Sequence, residues 1–355
     1  MKVGFLGLPG SGKTTLFNVV TGREPDRAEM GKAESRMAVV KVPDERLPRL
    51  AEILNSAKII HPEMVFVDLT GLHRDDGHGG QDESLTKVVG DADALALVIQ
   101  CFGELDYQAN PLDPAGDLEA LLLEMTITDL GIVERRIERI QSELKSTRDK
   151  TSVERSLLER VADHLGEGKL ARDLKMSDDE ELLLRGFSLL TSKPLLVVLN
   201  VADDDLQGER ASDAIAVAEA MGLEYQVIAA TLEQEIAALD EEMRDAFLAD
   251  YGLDEPARDR FVCACYDLLG VITFFTGNEK EARGWTIEGA STVREAGGKI
   301  HSDIYDGFIR AEITPFAMLD EYESFARCRE AGVIRLEGRE YITTDGDYLD
   351  IRFSR

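Results

Sequence analysis

Gly7-Leu8-Pro9-Gly10-Ser11-Gly12-Lys13-Thr14 stands directly after the apolar run Val3-Gly4-Phe5-Leu6 and directly before Thr15-Leu16-Phe17-Asn18-Val19-Val20. The spacing is that of the phosphate loop, G-x-x-x-x-G-K-[ST], and the flanks predict the strand and the helix that the motif requires. Glycines let a backbone wrap closely around phosphate oxygens. Successive amides at a helix start add donors and a favourable dipole where negative charge must sit. Pro9, Gly10, Ser11, Gly12, Lys13, Thr14 and Thr15 are therefore expected to cradle the phosphates of a purine nucleoside triphosphate. Lys13 is expected to reach the β- and γ-phosphates, and the Thr14 hydroxyl to ligate Mg²⁺.

A second apolar run, Met64-Val65-Phe66-Val67, ends in Asp68-Leu69-Thr70-Gly71. An acidic residue at the carboxyl end of a strand facing such a loop predicts that Asp68 holds Mg²⁺ directly or through water. Gly71 is expected to bring its amide to the γ-phosphate. Lys13, Thr14 and Asp68 thus form the expected catalytic set, with Thr14 and Asp68 as metal ligands.

A third apolar run, from Leu195 to Leu199, gives way to Asn200-Val201-Ala202-Asp203 at the sheet edge where a base would lie. In nucleotide switches of the GTPase class this pattern is Asn, then Lys, with Asp three places after the Asn. Here Val201 stands in place of the Lys. Asn200 and Asp203 remain the candidate base-binding residues, and ATP and GTP both stay open as the ligand.

The 355 residues exceed one average domain. Short apolar strands alternate with amphipathic helices up to about residue 110, the pattern of a mainly parallel sheet covered by helices. From Asp113 to about Ser192 the character is charged helix, with Val133, Ile137, Ile140 and Leu144 forming one seam and Leu158, Val161 and Leu165 a second. An antiparallel helical hairpin is expected there, interrupting the sheet domain because strand character returns at Leu195. After Gly270, β-branched and aromatic segments separated by glycine turns predict a small α+β domain. The fold class is α/β: a P-loop domain of GTPase type at 1–112 and 193–270, a helical coiled-coil insertion at 113–192, and a carboxyl-terminal domain at 271–355.

Four cysteines without paired metal-ligand spacing suit a reducing compartment, and no apolar run reaches the roughly 18 residues of a membrane span. A soluble cytoplasmic protein, acting as a monomer and away from membranes, is expected. The formal charge of −29 argues against general coating of nucleic acid, because neutralising phosphates needs an excess of Lys and Arg. Any RNA contact must be local. The hairpin residues Arg135, Arg136, Arg139, Lys145, Arg148 and Lys150 interleave with acids, which fits a solvated face as well as an RNA patch.

With these residues assembled, the chain resembles the YchF/Obg-like ATPase family: P-loop proteins of the translation-factor class with a helical insertion and a carboxyl-terminal TGS domain. The matching stretches include Val42-Pro43-Asp44-Glu45-Arg46-Leu47, Glu233-Gln234-Glu235-Ile236, Thr273-Phe274-Phe275-Thr276, Arg283-Gly284-Trp285-Thr286-Ile287 and Gly307-Phe308-Ile309-Arg310-Ala311-Glu312. The resemblance implies a nucleotide-dependent regulator that hydrolyses slowly, often prefers ATP to GTP, and associates with ribosomes. It also implies departures. Asp203 stands where the family usually has Glu, and a histidine of the family aligns with Tyr107. Leu72, by contrast, agrees with the family, in which a Leu follows the glycine of Asp68-Leu69-Thr70-Gly71 where many GTPases carry a water-positioning Gln. The stretch Lys32-Ala33-Glu34-Ser35-Arg36 offers no clear equivalent of the switch threonine that completes Mg²⁺ coordination.

The expected function is a Mg²⁺-dependent ATPase/GTPase whose bound γ-phosphate orders loops around residues 23–36 and 72–84. The alternative is a module that senses nucleotide with little or no turnover.

Overall fold

Val3, Phe5 and Leu6 follow one another with no charged residue among them, a run that suits a strand covered on both faces. In the computed structural model, which describes residues 1–23, 36–68, 90–143, 150–253 and 255–354, this run lies inside a six-stranded sheet. Its strands are β1 (Lys2–Leu6), β2 (Arg36–Lys41), β4 (Glu63–Asp68), β5 (Ala94–Cys101), β6 (Leu195–Val201) and β7 (Glu224–Ile228), with the two-residue β3 (Ile59–Ile60) falling in a second sheet. The order is β2-β4-β1-β5-β6-β7. β1 pairs in parallel with β4 and β5, β5 with β6, and β6 with β7. Every residue of β5 and β6 is buried, as continuous apolar strands of an α/β sheet should be. The parallel registers bring the carboxyl ends of β1, β4, β5 and β6 to one edge, where such sheets bind ligands.

The chain forms two compact units, Met1–Ala38 with Val65–Arg258, and Val39–Met64 with Asp259–Arg355. The domains expected from the sequence differ, with 39–64 in the first domain and its final boundary at 270. The difference has a packing cause. Helix α2 (Arg46–Leu54) is amphipathic, and its Leu47, Leu50 and Ala51 are buried in one core with Phe275, Ala282, Leu319 and Tyr348 of the second unit.

The helical insertion belongs to the first unit instead of forming one of its own. Helix α3 (Pro114–Glu143) begins by burying Leu118, Leu121, Leu122 and Met125 in the sheet core beside Leu97 and Leu199. It continues into a second core shared with α4 (Lys150–Gly166), where Val133 and Ile140 pack with Leu157, Leu158, Val161 and Leu165. The two expected seams therefore meet, apart from Leu144, which lies outside the described residues. Between the two cores Asp129, fully buried, accepts the Leu190 and Thr191 amides at 2.8 and 2.7 Å and the Thr191 hydroxyl at 2.6 Å. Burial, the largest influence on it, pushes this carboxyl above its ordinary range in spite of those donors.

The second unit is a sheet of order β11-β10-β12-β8-β9-β3, built from β8 (Val271–Gly277), β9 (Ala282–Glu288), β10 (Phe308–Pro315), β11 (Arg335–Glu337) and β12 (Asp347–Phe353). Arg46 is held there between Asp44 at 2.8 Å and Asp345 at 2.6 Å, with the Phe275 ring 5.1 Å away. All four cysteines are free thiols. Cys101 is buried, and burial pushes its thiol up to about 12, which makes it a packing group. No helix among the described residues is long and apolar enough to cross a membrane.

Candidate functional site

The phosphate loop leaves β1 and enters α1 (Lys13–Thr21) through Gly12, whose φ of +83° is left-handed. A side chain at this position would be strained by the backbone, and its Cβ would also collide with the Asn200 carboxamide. Gly7 is enclosed in the same way: a Cβ there would lie 2.5 Å from the Val98 carbonyl oxygen. Glycine is thus needed because other backbone and side-chain groups crowd the loop from behind, which leaves the outer side to a ligand. The Ser11 amide donates to the Leu8 carbonyl at 3.2 Å and the Leu16 amide to the Gly12 carbonyl at 2.9 Å, which fixes the curl of the loop. Pro9 and Gly10 are exposed, Thr15 half-buried and Ser11 buried.

Two features fit this segment to an anion. The first turn of α1 carries no acidic residue, so its amides and dipole are not already neutralised. The Ser11 hydroxyl is buried without a hydrogen-bond partner, and an unsatisfied polar group inside a native loop calls for a ligand or water.

Asp68 ends β4 opposite Phe5 of β1, so the parallel pairing itself delivers its carboxylate to the loop. It is fully buried. Lys13 Nζ forms an ion pair with Asp68 Oδ1, and the Thr14 hydroxyl donates to Asp68 Oδ2 at 3.2 Å. The three residues expected to act together do converge. A hydroxyl and a carboxylate oxygen form the hard donor set that Mg²⁺ takes, with phosphates and waters supplying the rest of its shell. Among the described residues no group of three or more His, Cys, Asp and Glu side chains gathers into a separate metal cage. Gly71 and Leu72, and the expected mobile loops apart from residues 23 and 36, lie outside the described residues.

Asn200 reaches the same loop from β6. Its Nδ2 donates to the Ser11 carbonyl at 2.9 Å and its Oδ1 accepts the Ala230 amide at 3.1 Å. Both ends of the carboxamide are therefore engaged with protein, and in this arrangement Asn200 braces the phosphate loop against the start of α5 (Ala230–Ala237). Asp203 is exposed. Its neighbour Asp205 is buried and accepts the Glu209 and Arg210 amides at 2.8 and 3.1 Å, which shapes the turn that carries Asp203. Sequence reading did not single out Gln100, the register partner of Asn200 on β5. Its place at the carboxyl end of a central parallel strand was the available signal.

The comparisons with known proteins agree with this geometry. The family model described as a 50S ribosome-binding GTPase matches residues 2–130. The model for the YchF GTPase carboxyl-terminal domain, described as a protein of unknown function, matches residues 271–354. The ribosome-binding ATPase YchF of Haemophilus ducreyi is 35% identical over 359 residues, covering 99% of both chains. Its counterpart from Bacillus subtilis is 34% identical over 364 residues, covering 100% of this chain and 99% of that one. The fold agrees with the structure of the YchF GTPase of Schizosaccharomyces pombe, at a TM-score of 0.87 and 24% identity over 99% of this chain and 97% of that one. Similarity that runs the full length of the chain, on a site whose phosphate loop, β4 carboxylate and β6 asparagine are all in place, shows that the chain belongs to the YchF family.

Proposed function

We propose that this chain is a Mg²⁺-dependent nucleoside triphosphatase of slow turnover, binding ATP or GTP and acting in the cytoplasm as a nucleotide-dependent regulator on the ribosome. The observation that carries the reading is the convergence of Lys13 and Thr14 on the buried Asp68 at the mouth of a glycine loop. Relatives that match over the whole chain are named ribosome-binding ATPases, which supports both the reaction and the partner.

Bound Mg²⁺ would neutralise charge on the β- and γ-phosphates. The residues of the chain supply the rest. Asp68 holds Lys13 and Thr14 ready beside the loop, so the ammonium need only turn from the carboxylate to a phosphate and the hydroxyl to the metal. Thr14 and Asp68 are the groups that would then hold the metal. The amides of the loop and of the first turn of α1 stabilise the negative charge that builds on the departing diphosphate. Asp203 is the side chain on the β6 turn that would meet the base. With Val201 in place of the usual Lys, discrimination between adenine and guanine is weak in this reading. Turnover is slow because Leu72, in the place of a water-positioning Gln, has no polar side-chain atom with which to orient water.

Ribosome contact in a chain of net charge −29 must be local and salt-sensitive. The hairpin of α3 and α4 and residues 271–355, read as a TGS domain, are the elements assigned to it.

Phosphate release from ATP and from GTP by the full chain, with Mg²⁺ and with a chelator, tests the enzyme. Slow release that needs the metal and disappears in Lys13→Ala is expected. Nucleotide binding without release above that variant would remove the catalytic half of the proposal and leave a nucleotide sensor.

A further inference from the structure

In the sheet of the second unit, β10 and β12 pair with Glu312 opposite Asp350 and Thr314 opposite Tyr348. Residues two apart on a strand share a face, so these four side chains stand together. All four line a cleft of about 680 Å³ that belongs wholly to this unit. Its size lies within the range of small-molecule sites.

The interior of the cleft is apolar with one polar exception. The Phe325 and Tyr348 rings meet there with centroids 4.8 Å apart, and Leu54 and Ile334 line it beside them. The Tyr348 hydroxyl is already committed, because it donates to the Gly277 carbonyl at 2.7 Å. Thr314 is different. It is 1% exposed, and its hydroxyl has no hydrogen-bond partner among the described residues. A hydroxyl so enclosed with nothing to bond calls for a ligand or water.

The rim carries both signs of charge. Glu312 and Asp350 stand directly opposite each other, and like charges so placed destabilise a sheet. Arg329 meets Glu312 at 3.0 Å from an exposed position, and Arg352 meets Asp350 at 3.2 Å. Lys280, on the turn from β8 to β9, also lines the cleft; it is exposed, and its ammonium forms no ion pair among the described residues. A wholly anionic ligand would meet the two facing carboxylates, and a wholly cationic one would meet Lys280 and Arg329. A ligand with the two charges side by side above an apolar body matches both sets. An α-amino acid has that form, since its ammonium and carboxylate share one carbon.

We propose that this cleft binds a free α-amino acid with an apolar side chain. The ammonium lies between Glu312 and Asp350, and the Thr314 hydroxyl, on the same face of β10 as Glu312, accepts a further hydrogen bond from it. The carboxylate meets Lys280 and Arg329, and the apolar side chain lies on Phe325, Leu54 and Ile334. A peptide does not fit, because its two terminal charges stand at opposite ends. The site lies in the second unit and uses no residue of the phosphate loop, so it stands or falls apart from the nucleotide reading.

Isothermal titration of L-phenylalanine and L-leucine into the full chain tests this. One saturable site is expected for both. N-acetyl-L-phenylalanine, which lacks the ammonium, and phenethylamine, which lacks the carboxylate, should each bind at least about tenfold more weakly, the scale of one lost hydrogen bond to a charged group. Thr314→Val removes the hydroxyl and should weaken phenylalanine about fivefold. Lys280→Ala, at an exposed position, should weaken phenylalanine about tenfold and leave phenethylamine unchanged. Absence of saturable binding for both amino acids would overturn the proposal. Phenethylamine or N-acetyl-L-phenylalanine binding as tightly as phenylalanine would overturn it too, because the cleft would then be a site for a cation or an anion alone. Unchanged phenylalanine affinity in both variants would put the ligand elsewhere and contradict the assignment equally.

Discussion

Asn200 donates to the Ser11 carbonyl at 2.9 Å and in the same geometry accepts the Ala230 amide at 3.1 Å. One carboxamide therefore ties the phosphate loop, the end of β6 and the start of α5 together. Truncation to Asn200→Ala leaves a buried acceptor and a buried donor without partners, at about 1–3 kcal/mol each. The variant is expected to melt at lower temperature and to lose ATP and GTP affinity to the same degree. Calorimetric titration with both nucleotides measures this, and a loss confined to GTP would show that Asn200 reads the base instead.

Gly12→Ala places a Cβ at φ +83° and into the Asn200 carboxamide. Strain of about 1–3 kcal/mol is expected from the backbone alone, together with displacement of the brace. Nucleotide binding should fall more than thermal stability does, because the distortion lies in the cradle and not in the core. Melting curves and a titration on the same preparation separate the two effects.

Asp129 makes a prediction in pH. Its carboxyl is raised in the folded chain, chiefly by burial, so the folded state takes up the proton more readily than the unfolded one. The stability gained on protonation is complete below the ordinary aspartate value of 3.8 and is lost as pH rises through the higher folded value. Wild type should therefore gain stability relative to Asp129→Ala as pH falls from neutrality toward 4. Paired melts across that range test the sign. A difference that shrinks on acidification would mean that the three donors from Leu190 and Thr191 outweigh burial.

Much of this was legible in the sequence, for physical reasons that can be named. The phosphate loop is a local signal, because glycine spacing, a preceding apolar strand and a following helix sit within about twenty consecutive residues. Asp68 was readable because a parallel sheet delivers the ends of its strands to one edge. The seams of α3 and α4 were readable from period alone, since Val133, Ile140, Leu158, Val161 and Leu165 all turn out buried. What was not legible depends on contacts between distant segments. No local pattern tells that Leu47 and Leu50 pack with Phe275, and for that reason the expected domains and the two compact units divide 39–64 differently. Nor does the sequence around Asn200 reveal that its side chain is engaged at both ends, or that Gln100 and Tyr107 close on Gly10.

The account depends most directly on whether the loop from Gly7 to Thr14 grips a triphosphate through Lys13. Isothermal titration of Mg²⁺-ATP and Mg²⁺-GTP into the full chain and into Lys13→Ala measures it. The account predicts a single saturable site in wild type and an affinity weakened up to about a hundredfold in the variant, the scale of a lost hydrogen bond to a charged group. Equal heats of binding in the two proteins, or none in either, would contradict it.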